Sequence, residues 1–154
     1  MPSKEIYEKL ARDRLVVGDL FTYDVPVIPI KTKGRWYGRI SRAVVERGVE
    51  LPQLTLGQAR YVATGDATGH LFLALWSDDN VYTERHIAGC VSACINEASR
   101  NRLARIALPI LGGRVDGPRL LYAMEMGVEH AVDQLDAADR MVPEVVFVTD
   151  MNLG

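Results

Sequence analysis

Cysteine is scarce in this chain: Cys90 and Cys94 are the two it has in 154 residues. Two thiols do not make the cross-linked framework of a small secreted domain, and a reducing, cytoplasmic setting is expected. No apolar run reaches the roughly 18–20 residues that a membrane-spanning helix requires. The start, Met1-Pro2-Ser3-Lys4-Glu5, lacks the basic-then-apolar layout of a secretory signal, so a soluble, intracellular protein is expected. Neither sign of charge dominates. Eighteen basic residues against 20 acidic ones leave a formal net charge of −2. That gives no general attraction to anionic membranes or to nucleic acid, neither of which is an expected partner, while a local basic patch is compatible with it. The fingerprints G-x-x-x-x-G-K-[ST] and G-x-G-x-x-G are both missing. Ser41, Ser77, Ser92 and Ser99 lack the strand–turn–helix setting of an activated nucleophile, which leaves a serine hydrolase unsupported.

What is present is an ordinary globular composition, 48% hydrophobic and 25% charged. The length fits one domain over residues 1–154, with residues 1–13 as a helical extension in which Ser3 to Arg12 form a short helix. Leu15-Val16-Val17 reads as a short strand stopped by Gly18-Asp19. Val25 to Ile30 reads as extended, since Pro26 and Pro29 bar a helix and make a fully paired central strand awkward. A helix is expected from Arg39 to Arg47, with Gly48 as its stop. Gln58–Thr64 and His70–Trp76 read as a hairpin around Gly65-Asp66-Ala67-Thr68-Gly69. Thr83 caps a helix running to about Arg100, with Ile87, Val91, Cys94, Ile95 and Ala98 at helical spacing. Ala104–Leu111 is an apolar strand, and Pro118 opens a further helix with Leu121, Met124, Val128, Ala131, Val132 and Leu135 on one side. Val145–Thr149 is continuously apolar, as in a strand covered on both faces. Helix and strand alternate through the C-terminal half. The expected fold class is α/β: a three-layer domain with a mixed, mainly parallel sheet.

Two loops carry the chemistry. Leu111-Gly112-Gly113-Arg114-Val115-Asp116-Gly117 leaves a buried strand and enters a helix. Its glycines permit close backbone approach, the helix start offers free amides and a favourable dipole, and Arg114 and Arg119 add positive charge. Ligands of open α/β sheets sit at the carboxyl ends of strands, so a phosphate or nucleotide is the expected guest, against a plain tight turn. Lys31-Thr32-Lys33-Gly34-Arg35-Trp36-Tyr37-Gly38 also follows an extended segment. It is expected to face the first loop across a cleft, with Trp36 or Tyr37 stacking on a base or sugar, or else covering the core edge. Asp19, at a strand end, either accepts from an amine or caps a turn.

The order of elements and these loops resemble the macro domain, the family that binds ADP-ribose and related nucleotides. Val17-Gly18-Asp19-Leu20 resembles the end of that family's first strand, whose aspartate holds the adenine amino group. Gly38-Arg39-Ile40-Ser41-Arg42-Ala43 resembles the end of its first glycine-rich loop and the following helix. Leu108 to Gly117 resembles its second phosphate loop, usually of the form P-A-I-G-T-G-I-Y-G, and Val145 to Asp150 its last core strand. The resemblance implies a macro-like fold from residue 14 onward. It also implies binding of ADP-ribose or a related nucleotide diphosphate by Asp19, Gly34, Arg35, Trp36, Tyr37, Gly38, Leu111, Gly112, Gly113, Arg114, Val115 and Gly117, with no cofactor. The family's asparagine after the second strand, which orders the distal ribose in its hydrolases, is replaced by Pro29-Ile30-Lys31-Thr32. One branch of the family pairs a lysine with an aspartate in a loop of the form G-C-G-L-D. Gly112–Asp116 resembles that loop, which makes Asp116 the candidate acid, while Ser77-Asp78-Asp79-Asn80 stands where that branch carries its lysine. The alternative is an interaction domain that kept the fold and lost the pocket.

Four further groups have plain structural readings. His86, Cys90 and Cys94 recur every four residues, but three successive helical turns spread ligands over about 12 Å, so buried thiols are expected and no metal. Asp78 and Asp79 suit capping better than magnesium. Glu125, Glu129 and Asp133 read as a solvated stripe. Arg100, Arg102 and Arg105 follow a helix end, where cations suit the dipole.

Overall fold

The computed structural model describes residues 14–66, 68–77, 83–111 and 117–149. The helix expected over Ser3–Arg12 lies outside them, as do Asp78, Asp79 and the loop stretch Gly112–Asp116. Six strands are described: β1 (Leu15–Val17), β2 (Val27–Lys31), β3 (Ala59–Gly65), β4 (Thr68–Trp76), β5 (Arg105–Pro109) and β6 (Glu144–Thr149). Three helices join them: α1 (Gly38–Glu46), α2 (Glu84–Arg100) and α3 (Gly117–Ala137). Thr83 caps α2 as expected, its hydroxyl accepting from the His86 amide at 3.1 Å. The hairpin turn is tighter than expected, because β3 runs to Gly65 and β4 starts at Thr68.

The strands form two trios, β1-β6-β5 and β2-β4-β3. All neighbours are parallel except β3, which runs antiparallel to β4. One bridge, Pro26 to Ala107, joins the trios. The prolines explain the seam. The carbonyl of Val25 accepts from Ala107 on the β5 side (3.1 Å), and that of Pro26 accepts from Leu71 on the β4 side (3.1 Å). Backbone groups alternate sides along a strand, so Pro29 presents its missing N–H to β5. β2 is therefore fully paired with β4 and only touches β5.

Alternation also fills both faces of the sheet. Leu71, Leu73 and Leu75 of β4, with Ile106, Leu108, Val145 and Phe147, pack under α2 and α3. Phe72 and Ala74, with Ile28 and Ile30, pack under Val44 of α1 and under Leu51 and Leu54. On β6, Phe147 faces one layer and Val148 the other. The result is the three-layer, mainly parallel α/β arrangement that the alternating elements predict. At the outer edge, the Tyr61 amide of β3 donates to Glu97 Oε2 at 2.9 Å. A carboxylate from α2 thus occupies a donor that an edge strand would otherwise offer to another chain.

One expectation fails here. Glu125 is not on the solvated stripe: it is 6% exposed, and Arg14 Nε donates to both its carboxylate oxygens at 3.1 and 3.0 Å. Glu129 and Asp133 are exposed as expected. Helical spacing identifies a face but cannot reveal a guanidinium arriving from 111 residues away.

Candidate functional site

The carboxyl ends of β1, β5 and β6 converge on one side of the sheet. There a cavity of about 690 Å³ opens, lined by Val17, Gly18, Asp19, Leu20, Phe21, Arg39, Ile40, Ala43, Pro109 and Val148. Its volume falls within the range of small-molecule sites, and its walls are mostly apolar with few polar groups. A larger hollow of about 850 Å³ lies at the opposite pole, where Asp24, Asp66, Arg102, Arg105 and Glu144 gather. The smaller one is the better candidate, because parallel strands direct their loops and helix starts toward their carboxyl ends.

Asp19 is built into this cavity by its own turn. It caps the 3-10 turn Leu20–Thr22: Oδ1 accepts from the Phe21 amide at 2.9 Å, and its carbonyl accepts from the Thr22 amide at 3.1 Å and hydroxyl at 2.7 Å. The two sequence readings of Asp19 are thus compatible. One carboxylate oxygen holds the turn, while Oδ2 has no hydrogen-bond partner among the described residues. A carboxylate can accept about four hydrogen bonds, so the cap leaves room for a ligand amine. Phe21 beside it is itself held, with the Arg47 guanidinium 4.5 Å from its ring centre.

The opposite wall is the first half of α1. Gly38 opens this helix at φ +83°, and a β-carbon there would meet nothing within 4 Å. The glycine is demanded by the backbone conformation, which side-chain-bearing residues rarely adopt, and not by crowding. Ser41, fully buried, accepts from the Tyr37 amide at 2.7 Å and donates to the Tyr37 carbonyl at 2.8 Å. That pair of hydrogen bonds fixes the entry of the helix, so that Arg39, Ile40 and Ala43 face the cavity.

The remaining expected site residues divide. Gly34, Arg35 and Trp36 line a separate hollow of about 430 Å³ with Val45, Val49, Glu50 and Leu51, on the other side of α1. The cause is local. A 3-10 turn over Thr32–Gly34 puts Lys33 at φ 66°, and the Lys31 amide closes the turn onto the Arg35 carbonyl at 2.9 Å. Tyr37 packs against Trp76, with ring centres 4.6 Å apart and planes tilted by 52°. Leu111 is 1% exposed and belongs to the core under α2 and α3. Gly117 begins α3. Arg119, expected to add charge to that loop, pairs with Glu84 at 2.7 Å. Gly112, Gly113, Arg114, Val115 and the candidate acid Asp116 lie outside the described residues. The sequence reading missed Leu20, Phe21, Arg39, Ile40, Ala43, Pro109 and Val148 as lining residues. The rule that ligands meet strand carboxyl ends already points at Val17, Pro109 and Val148.

The cysteines are core residues. Cys90 and Cys94 are 1% and 0% exposed. Burial pushes the Cys90 thiol up to about 12 and raises that of Cys94 well above its ordinary value. His86 lies beside Cys90, whose Sγ is 3.6 Å from its Nε2, and the same nitrogen meets the Leu75 carbonyl at 2.9 Å. Among the described residues no three His, Cys, Asp or Glu side chains gather where they could hold a metal, and no helix is long and apolar enough to cross a membrane.

No protein-family model matches the chain, and no curated protein sequence does. Solved structures match over most of its length. The macrodomain of Thermus aquaticus DarG superposes with a TM-score of 0.54 at 16% identity, covering 88% of this chain and 95% of that one. A macrodomain protein from Streptomyces coelicolor gives 0.58 at 14%, covering 87% and 97%. A mutant of the Oceanobacillus iheyensis macrodomain, determined with ADPR, gives 0.52 at 14%, covering 87% and 82%. The chain shares its fold with these proteins, as the sequence resemblance implies.

Proposed function

We propose that this chain, whose fold is that of the macrodomains, binds ADP-ribose or a related nucleotide diphosphate in the cavity between the β1 end and α1. The observation that carries the reading is Asp19: an exposed residue, its carboxylate capped through Oδ1, that lines an apolar cavity at the strand carboxyl ends. An adenine amine would donate to Oδ2 while its ring lies against Leu20, Ile40 and Phe21. The bond would be charge-assisted and would favour adenine over a base with an acceptor at that position. The start of α1, which has no side-chain cap, and the dipole of α3, with Arg39, suit the diphosphate. Gly112, Gly113, Arg114 and Val115 complete the cradle in this reading. Support from outside the chain comes from the similar Oceanobacillus structure determined with ADPR.

Turnover is a further step in the same reading. Asp116 would move a proton at the glycosidic centre of a bound ADP-ribosyl group. Calorimetric titration with ADP-ribose, ADP and AMP tests the binding. Asp19→Ala is expected to weaken all three more than it weakens ribose 5-phosphate, and equal losses would remove the assigned role. Asp116→Ala is expected to stop release of ADP-ribose from a modified protein while leaving binding intact. The second reading, an interaction domain without a nucleotide, draws on the placement of Gly34, Arg35 and Trp36 beyond α1, away from the cavity. It predicts no heat with any of these ligands at millimolar concentration.

A further inference from the structure

Charge is distributed very unevenly along this chain. Residues 31–47 carry six cations, Lys31, Lys33, Arg35, Arg39, Arg42 and Arg47, against one carboxylate, Glu46. That segment has a net charge of +5 in a chain whose total is −2, so the remainder is distinctly acidic. All six cations except the half-buried Lys31 are exposed. The fold concentrates them, because the segment is one short turn followed by α1, and α1 stands as a ridge between two hollows.

Aromatic rings alternate with these cations in space. Trp36 and Tyr37 are 50% and 44% exposed. The Arg42 guanidinium lies 5.6 Å from the Trp36 ring centre, Lys31 Nζ 5.3 Å from that of Tyr37, and Arg47 4.5 Å from that of Phe21. Large exposed rings are costly to leave in water, and the Trp36 ring, flanked by Arg42, can still accept a second planar group, whereas Tyr37 already meets Trp76. Arg42 is also bonded to Glu46 at 3.0 Å, with both side chains mostly exposed. Such a pair contributes little and exchanges readily for a phosphate. Spaced cations with exposed ring faces between them are what a single-stranded nucleic acid needs: charge for its backbone and stacking platforms for its bases.

We propose that the α1 ridge, from Arg35 and Trp36 across Arg42 to Arg39 and Arg47, binds single-stranded nucleic acid. This goes beyond the nucleotide cavity and stands without it. An acidic peptide or an anionic membrane would use the same cations, but neither uses the rings as base platforms, and the rings favour the nucleic acid.

The test is fluorescence anisotropy with a labelled 15-nucleotide oligothymidylate at about 50 mM salt, with the salt raised stepwise. Binding should weaken steeply and log-linearly with salt. Trp36→Ala should weaken it about fivefold or more through lost stacking. Arg42→Glu should weaken it at least as much, and Glu46→Gln should tighten it. Arg140→Glu makes the same charge change on an exposed residue after α3, outside the ridge, and should leave affinity within about twofold. In a Trp76→Phe protein Trp36 is the sole tryptophan, and its emission should be quenched on oligonucleotide addition, which reads stacking without altering Trp36. Three results overturn the proposal. They are no anisotropy change at 50 mM salt, equal losses in Arg42→Glu and Arg140→Glu, or unchanged Trp36 emission with polyglutamate or phosphatidylserine vesicles competing as well as oligonucleotide of equal charge.

Discussion

Gly127 of α3 lies against the backbone of Ala88 in α2, so close that a β-carbon on it would come within 2.4 Å of the Ala88 carbonyl oxygen and 2.9 Å of Val91 Cβ. The two helices can cross at this distance only because the side chain is missing. Relief requires backbone to move, since the nearest atom belongs to no flexible side chain. Gly127→Ala should therefore destabilise the fold by about 1–3 kcal/mol, despite alanine's better helix propensity. Urea unfolding followed by circular dichroism measures it, and a stability gain would contradict the close crossing.

The pairing of Arg14 with Glu125 makes the chain just before β1 part of the fold. Arg14→Ala removes the guanidinium from a nearly buried carboxylate and should cost about 1–3 kcal/mol, discounted because Arg14 itself is one third exposed. Adding Glu125→Leu to that variant should restore part of the loss. If the double variant is less stable than Arg14→Ala, the cost does not lie in the carboxylate that has lost Arg14.

His70 should make the protein acid-sensitive. Its Nδ1 is buried without a hydrogen-bond partner among the described residues, and burial together with the positive charge of Arg47 lowers its pKa below the ordinary 6.5. The imidazole is neutral in the fold at pH 7. As pH falls through about 6.5 the unfolded chain takes the proton first, so stability is lost as pH drops from there toward the lowered folded value. The loss should stay below the one-proton limit of about 1.4 kcal/mol per pH unit, since the ring is only half-buried. His70→Leu should flatten unfolding free energy between pH 7 and 5.5 relative to the parent protein. Parallel curves would assign the acid sensitivity to other groups.

The cysteines give a reactivity test. With the Cys90 thiol held up at about 12 and that of Cys94 raised well above its ordinary value, almost no thiolate exists at pH 8. Iodoacetamide should leave both unmodified in the folded protein and alkylate both in 6 M guanidinium, as read by mass spectrometry. Rapid labelling of the native protein would show that the α2 face opens.

Much of the architecture was readable in the residues. Thr83 caps α2 because a hydroxyl before a periodic apolar run satisfies a free amide. The seam beside β2 was foreshadowed by Pro26 and Pro29. The site was readable in part. Asp19 lies in the cavity because a Gly-Asp pair after a short strand ends the strand and turns the chain there. Gly34, Arg35 and Trp36 were expected to face that cavity, yet the turn closed between Lys31 and Arg35 sends them past α1. Residue types show that a chain turns; the direction comes from what it packs against, here the backbone of Leu51, 3.0 Å from where a Gly34 β-carbon would stand. Glu125 was misread for the same reason, because its partner is distant in sequence.

Among the described residues the Pro26–Ala107 bridge is the one stitch between the two plates of the sheet. Val17 to Leu20, Pro109 and Val148 ride on one plate, Phe21 and α1 pack on the other, and Ile40 touches both. A molecule lodged against both acts as a splint across the fault line. Filling the cavity would then slow hydrogen exchange at the Ala107 amide, remote from the guest itself, and the protein would stiffen along a line where its own backbone supplies almost nothing.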